Sequence, residues 1–455
     1  MKTYQDLLAL GDNDNARREF LRDVVNEHKA SDAYKIAVDA EAYDRQENPT
    51  IVNYKKLITN MLGQKVEDIW SANYRLASNH FNRFITQENQ YLLGNGLNID
   101  DKIKREKLGT DFDMRLVDLG RNALVDGVSF GFFDKDKLKV FGLLEFAPLY
   151  DEENGALRAG VRFWQISPDK PTRYTLFEED GYTEYIMKPK EDGRIEEMFP
   201  KRKYIQIVKT SEADGTEIFD GENYPSFPII PMWANEHHRS ELCGKRETID
   251  CYNLIESGFA NNVDDASEIF WILKNAGGMT DTDLAQFLER MKTVRAASVD
   301  SEENGGAEAH TINVPYEARE KLLERLENDL YKDFMAFNVE KIAGNATATE
   351  INAAYQPFDN KVDKFEYCVF DFLVKLFEIA GITEEAKPFN RSKITNQLET
   401  TQMVLMAAQY LDDETLLSKL PWLTSEEIKE ILKRKDAESV ERFNAPIVEL
   451  EEVVE

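Results

Sequence analysis

Glu247-Thr248-Ile249-Asp250-Cys251-Tyr252-Asn253-Leu254-Ile255-Glu256-Ser257-Gly258-Phe259-Ala260-Asn261-Asn262-Val263-Asp264-Asp265-Ala266-Ser267-Glu268-Ile269-Phe270-Trp271-Ile272-Leu273 holds six acidic side chains and neither lysine nor arginine. Ile249, Tyr252, Ile255, Phe259 and Val263 recur at helical spacing, with acids interleaved on the other faces. The run Ile269–Leu273 that follows is short, apolar and strand-like. Thr280 with Asp283 then resembles a helix start, and Leu284, Phe287, Leu288, Met291 and Val294 make one stripe. Strands are expected over Ala297–Asp300 and His310–Val314, around a polar loop Ser301–Ala307. Pro315 suits a first helical turn and opens a second, one-sided helix carrying Leu322, Leu326, Leu330 and Phe334 or Phe337. The region therefore predicts a helix at 247–266, a small mixed module at 267–314 and a helix at 315–336.

Upstream, residues 1–90 read as helices, at Ala16–His28, at Ala33–Tyr43 and from Val66 through Ile85, before the turn Gly94-Asn95-Gly96. A further helical pattern covers Asp113–Val125. From Val128 to Ile230 the period changes: aromatic and β-branched residues alternate with turns at Asp151–Gly155, Glu179–Gly181, Asp192-Gly193 and Asp214-Gly215, as in a β-meander. Pro225, Pro228 and Pro231 close this insert. Downstream, Phe365, Val369, Phe372, Leu376 and Ile379 predict a helix over Val362–Ala380 that stops at Gly381. Thr424-Ser425-Glu426-Glu427 is a capping box flanked by Leu423 and Ile428, and the last residues are acidic. The fold class is α+β, mainly helical.

Composition narrows the function. The chain has 455 residues, with 85 acidic against 56 basic side chains and a formal net charge of -29. A surface that negative does not hold DNA by phosphate contacts over its whole area. An apolar fraction of 42% suffices for a sizeable core. Cys243, Cys251 and Cys368 form no CxxC pair, which argues against a disulfide framework and a zinc ribbon. No apolar leader follows Met1 and no uncharged run approaches membrane-spanning length, so a soluble protein used in a reducing cytoplasm is expected.

Chemistry-bearing motifs are sparse. Walker A, dinucleotide and GxSxG patterns are missing, and no zinc-finger, RNP or basic-stripe signal supports base readout. His237 and His238 stand beside Glu236, Glu241 and Cys243, yet their spacing fits neither HExxH nor a zinc-finger half, and a solvated loop explains them. No catalytic residue, cofactor or metal is expected. An enzyme built on these histidines and nearby acids is the rival reading.

One ordered series of segments resembles the portal proteins of tailed phages, in the group related to the portal of Bacillus phage SPP1. It begins at Phe227-Pro228-Ile229-Ile230-Pro231 with Asn235, continues through Glu247–Asn253 ("IDxYN") to Ser257, Asn261 and Asn262, and includes the mixed module and the charged helix. Gly344-Asn345-Ala346-Thr347-Ala348-Thr349-Glu350-Ile351 resembles the family's small-residue turn before a long helix. Asp412–Pro421 with Glu426–Lys435 is similar to its ending, and Gln90–Gly94 to its "YLxG" element. The order and spacing carry the likeness. Cys251 stands where a small residue is common, and Asn345–Thr349 replaces a Ser-Gly pair.

The resemblance implies a wing (1–246, with the strand-rich insert at about 128–231), a first stem helix (247–266), a clip (267–314), a second stem helix (315–336), a tunnel loop with a long wing helix (337–390) and a crown with an acidic tail (391–455). It implies a closed ring of about twelve subunits at one capsid vertex of the virion, assembled in the host cytoplasm. Double-stranded DNA would pass through it, with terminase large subunit, a head-tail adaptor, and major capsid and scaffold proteins as partners. On that reading Asp250, Glu256, Lys341, Asn345 and Thr347 are channel candidates. Leu322, Leu326, Leu330 and Phe334 would pack within the stem or between subunits, and Trp271 would meet a partner through the clip. A capsid-assembly or adaptor protein without a DNA channel is the alternative.

Overall fold

The structure is a computed structural model that describes residues 2–11, 13–59, 64–67, 73–99, 102–135, 137–188, 194–210, 217–267, 270–274, 280, 282, 306–310, 316–341, 347–383, 387–391, 397–420, 423 and 425–444. Helices and sheets are mixed, with helices predominating. In chain order they are α1 (Tyr4–Ala9), α2 (Asp14–Ala30), α3 (Asp32–Asp44), α4 (Pro49–Val52), β1 (Leu57–Thr59), β2 (Lys65–Glu67), α5 (His80–Leu93), α6 (Lys102–Glu106) and α7 (Phe112–Asp126). The strand-rich part follows as β3 (Val128–Asp134), β4 (Lys137–Gly142), β5 (Phe146–Tyr150), β6 (Leu157–Trp164), β7 (Thr172–Glu178), β8 (Gly181–Met187), β9 (Ile195–Arg202), β10 (Ile205–Thr210), β11 (Glu217–Glu222) and β12 (Ile229–Trp233). Then come α8 (Arg246–Ser267), β13 (Phe270–Lys274), β14 (Gly306–His310), α9 (Tyr316–Asp333), α10 (Ala348–Ala380), α11 (Gln397–Met406), α12 (Asp413–Ser418) and α13 (Ser425–Asn444).

Two compact units share the chain: Met1–Ala336 with Lys364–Asn390, and Phe337–Asp363 with Arg391–Glu455. In the first, β5 to β9 pair antiparallel in sequence order, a five-stranded meander, and β12-β3-β4 form a second sheet. α1 and α2 cover the meander, burying Leu7, Phe20, Leu21, Val24 and Val25 against Leu149, Val161, Leu176 and Ile195. Phe130, Phe132, Phe141, Phe146, Phe177 and Tyr204 fill a second core, with Phe130 and Phe146 ring centroids 4.6 Å apart. Each such ring contributes roughly 1.5–3 kcal/mol by leaving water.

α7 buries Phe112, Leu116, Leu119 and Ala123 at helical spacing and ends on Gly127 at φ 94°. A Cβ there would stand 2.8 Å from the Ser240 amide nitrogen, so glycine alone turns the chain from helix into β3. The stripe expected on α10, Phe365, Val369, Phe372, Leu376 and Ile379, is buried throughout. That helix begins at Ala348, well before the expected Val362.

The second unit has a small core of Phe337, Ile351, Tyr355, Phe358 and Val362, in which the Phe337 and Tyr355 rings stack at 3.7 Å. Arg391 bridges Asp359 at 3.5 Å and Asp363 at 2.5 Å. α13 starts at Ser425, where the capping box placed it, while Leu405, Met406 and Tyr410 stand exposed.

Two further sequence expectations change. The helix expected from Val66 starts only at His80; β2 and an extended segment at 73–79 occupy the interval's described part. In the mixed module, β13 pairs antiparallel with Gly306–His310, so residues 306 and 307 of the expected polar loop are strand. The strand candidates at 297–300 and 311–314, and the stripe Leu284–Val294, lie outside the described residues.

Candidate functional site

α8 is fastened to the first unit by its polar residues. At its foot the Asp250 carboxylate accepts hydrogen bonds from Tyr43 Oη and from Thr50 Oγ1, the latter at 2.8 Å. Arg246, one helical turn earlier, lies 3.8 Å from Asp250 and 2.5 Å from Asp39. Burial, and then the Asp250 bond, push the Tyr43 phenol up to about 12, so at neutral pH it stays a donor. The chain enters this helix through a loop organised by Asn235, whose Oδ1 accepts from the His237 and Arg239 amides. His238 stacks on Trp233 with centroids 3.6 Å apart, and His237 lies 3.5 Å from Glu236. Among the described residues no three His, Cys, Asp or Glu side chains are placed to share a metal ion.

Higher on α8, Asn253, Ser257 and Asn261 are buried and spaced by one turn plus a fraction. Their side-chain oxygens accept the amides of Ser78, Leu76 and Tyr74 at 2.9, 2.9 and 2.6 Å. The extended segment 73–79 thus lies antiparallel along the helix, and every second amide is taken by a side chain. This is why 73–79 is not helical: its donors have better partners than its own carbonyls.

α9 packs antiparallel on α8. Phe259 and Tyr316 ring centroids are 5.7 Å apart, and Arg319 Nη1 donates to the Gly258 carbonyl at 3.3 Å. Further along, burial first, and then Glu256 and Glu327, raise the pKa of the Tyr252 phenol. Burial likewise pushes the half-buried Glu256 carboxyl up. Glu327 pairs with Arg83 of α5 at 3.4 Å. The apolar stripe of α9 is graded: Leu330 and Phe334 are fully buried, Leu326 is half-buried and Leu322 is 42% exposed. Between the two helices in sequence, β13 and β14 form a two-stranded antiparallel sheet in which Trp271 opposes Ala309. No helix among the described residues is long and apolar enough to cross a membrane.

The sequence profile described as "Phage portal protein, SPP1 Gp6-like" matches residues 22–441. The chain belongs to this portal family. A curated portal protein of Clostridium phage phiCD119 is 26% identical over 217 residues, covering 46% of this chain and 48% of that protein. The chain thus aligns with about half the length of that relative. The portal protein of Bacillus phage SPP1 is 22% identical over 405 residues, 80% of this chain and 76% of its own. Among solved structures, a chain from the neck of an empty GTA particle matches at 12% identity and a TM-score of 0.42, over 76% of this chain and 91% of that one.

Within this portal subunit, the residues singled out from sequence fall in different settings. Asp250 is engaged at the foot of α8, and Glu256 is half-buried on the same helix one turn from Tyr252. Lys341 ends a short 3-10 turn, Val339–Lys341, and Asn345 lies outside the described residues. Thr347 precedes α10 as its cap: Thr347 Oγ1 accepts from the Glu350 amide at 3.3 Å, and Glu350 Oε2 accepts from the Thr347 amide at 2.9 Å. For Trp271 only the strand pairing is described. Sequence reading missed the roles of Asn253, Ser257 and Asn261, although polar residues at i, i+4 and i+8 on a helix that must bury a face were a usable signal.

Proposed function

We propose that this portal subunit assembles into a ring at one vertex of the phage capsid and passes double-stranded DNA through the central bore during packaging and ejection. The observation that supports it best is the order α8, β13, β14, α9: an antiparallel helix pair with a two-stranded sheet between its members in sequence, inside a chain that the family profile matches from 22 to 441. In this reading the pair is the stem, the two-stranded sheet belongs to the clip and the C-terminal helices are the crown. The clip is the docking site for terminase and then for a head-tail adaptor, with Trp271 as a contact. Major capsid and scaffold proteins surround the ring, which forms in the host cytoplasm.

The work is mechanical and electrostatic. Each neutralised phosphate strengthens binding to DNA, so a subunit carrying a net charge of -29, repeated around a ring, keeps contacts few and lets the duplex slide. We assign the DNA-facing role to Lys341, Asn345 and Thr347, in the part of the chain that resembles the family's tunnel loop. Asp250 we assign to holding the stem, because Tyr43 and Thr50 already occupy its oxygens. Negative-stain microscopy with mass measurement tests the proposal. A ring with a bore wide enough for duplex DNA is expected; a stable monomer at high protein concentration would overturn it.

A further inference from the structure

The two-helix stem has chemically different flanks. On α8, Glu256 sits two residues from both Leu254 and Gly258, hence about 200° around the helix from each. On α9, Glu320 and Glu324 stand in the same relation to Leu322. Tyr252 senses both Glu256 and Glu327, so the acids of the two helices share one flank. Glu320 and Glu324 continue it in i, i+4 steps and make no ion pair among the described residues. The opposite flank shows Cys251, Leu254 and Leu322, with Leu254 40% and Leu322 42% exposed, and a Gly258 whose added Cβ would meet nothing within 4 Å.

That apolar flank runs into a pocket of about 150 Å³ lined by Ile51, Tyr54, Lys56, Tyr74, Arg75, Leu254, Ser257, Gly258, Asn261 and Asn262. Val52, Tyr54 and Tyr74 around it are 46%, 44% and 52% exposed. The volume is well under the roughly 300 Å³ at which small-molecule sites begin, and suits an inserted side chain. Arg75 spends one nitrogen on the Val52 carbonyl at 2.8 Å and has no carboxylate partner among the described residues. One flank thus offers apolar surface with Arg75 at its rim, and the other carries Glu256, Glu320 and Glu324, with Arg83 paired to Glu327 at its end. A helix pair with two unlike, complementary flanks is the requirement for head-to-tail association that closes into a ring.

We propose that the pocket beside Leu254 and Arg75 is the seam socket for a second copy of this chain, which inserts its acidic flank at Glu320 and Glu324. The proposal rests on the ring reading and specifies which surfaces meet. It moves Glu256 from the bore to the seam.

Cys251 reports on the seam without any substitution, being exposed in the subunit and one turn from Leu254. In wild-type protein, maleimide labelling of Cys251, read by peptide mass, is expected to be on the order of tenfold slower in assembled rings than in subunits dissociated by dilution. Arg75→Glu and Leu254→Glu are expected to raise the concentration needed for half-assembly at least roughly tenfold with unchanged circular dichroism. Adding Glu320→Arg and Glu324→Arg to Arg75→Glu should recover part of the loss. Rings that form while Cys251 labels at the subunit rate overturn the seam and leave the ring reading standing. Wild-type protein that never assembles overturns both.

Discussion

Replacing Ser257 by alanine removes the middle acceptor of the side-chain ladder with almost no change in volume. Ser257 is 7% exposed, and its Oγ takes the Leu76 amide at 2.9 Å. Without it that amide is left unpaired in a part-buried site, at a cost of about 1–3 kcal/mol. Because Asn253 and Asn261 still hold the neighbouring amides, the loss should register as local opening of 73–79 rather than as global unfolding. Native-state hydrogen exchange at Leu76 should then accelerate roughly five- to 150-fold, the same free energy expressed as a population of open segment. Ser257→Thr keeps the hydroxyl and should keep the protection. Exchange in 73–79 indistinguishable from wild type, or an equal acceleration across the whole subunit, would refute the reasoning that these side chains replace helical hydrogen bonds.

Three further outcomes follow from the described contacts. Tyr43→Phe should lower stability at neutral pH by about 1.5–3 kcal/mol in denaturant titration, since Asp250 loses a donor while remaining half-buried. Because folding raises the Tyr43 pKa to about 12, the phenol's contribution is full below its unfolded value near 10 and is lost as pH rises towards 12, so wild-type stability should fall across that window and the Tyr43→Phe variant's should fall less. Asp126 is buried near Glu41 and Asp44, and burial first, then Glu41, raise its pKa well above the carboxylate range; its favourable contribution is full only below about pH 4, so Asp126→Asn should be more stable than wild type at pH 7, with the gap closing below pH 4 in thermal melts. Gly131→Ala would place a methyl 2.6 Å from the buried Phe372 ring and should destabilise by about 1–3 kcal/mol, whereas Gly258→Ala, inside α8 and facing open space, should stabilise by about 0.5–1 kcal/mol, both read in thermal melts.

Periodicity made α2, α3, α7, α8 and the first part of α9 legible, because each buries one face against a sheet or helix and so must place apolar residues at helical spacing. The stripe ending at Ile379 and the strand-rich interval were equally readable. What failed was local structure decided by distant partners. Val66 to Ile85 has helical spacing, yet Asn253, Ser257 and Asn261, far away in sequence, claim the amides of 74–78. The start of α10 was placed late because Phe365 onward carries the strongest stripe, while the turns before it bury only Ile351, Tyr355, Phe358 and Val362. The resemblance, with the acidity of α8, made Asp250 a channel candidate; nothing in its sequence neighbours announced that Tyr43 and Thr50 bind it.

The ladder on α8 also behaves as a vernier. One step along the helix, four residues, advances about 6.0 Å, whereas one step along the extended segment, two residues, advances about 6.6 Å. The scales drift apart by about 0.6 Å per rung, close to the whole width of the usual hydrogen-bond distance range, about 0.5 Å. Three rungs therefore stay in phase only with small adjustments, and a longer series would fall out of step. The segment grips α8 over two turns, from Asn253 to Asn261. Geometry thus limits how far a ladder of this kind can run, and insertions that lengthen 73–79 cannot extend it.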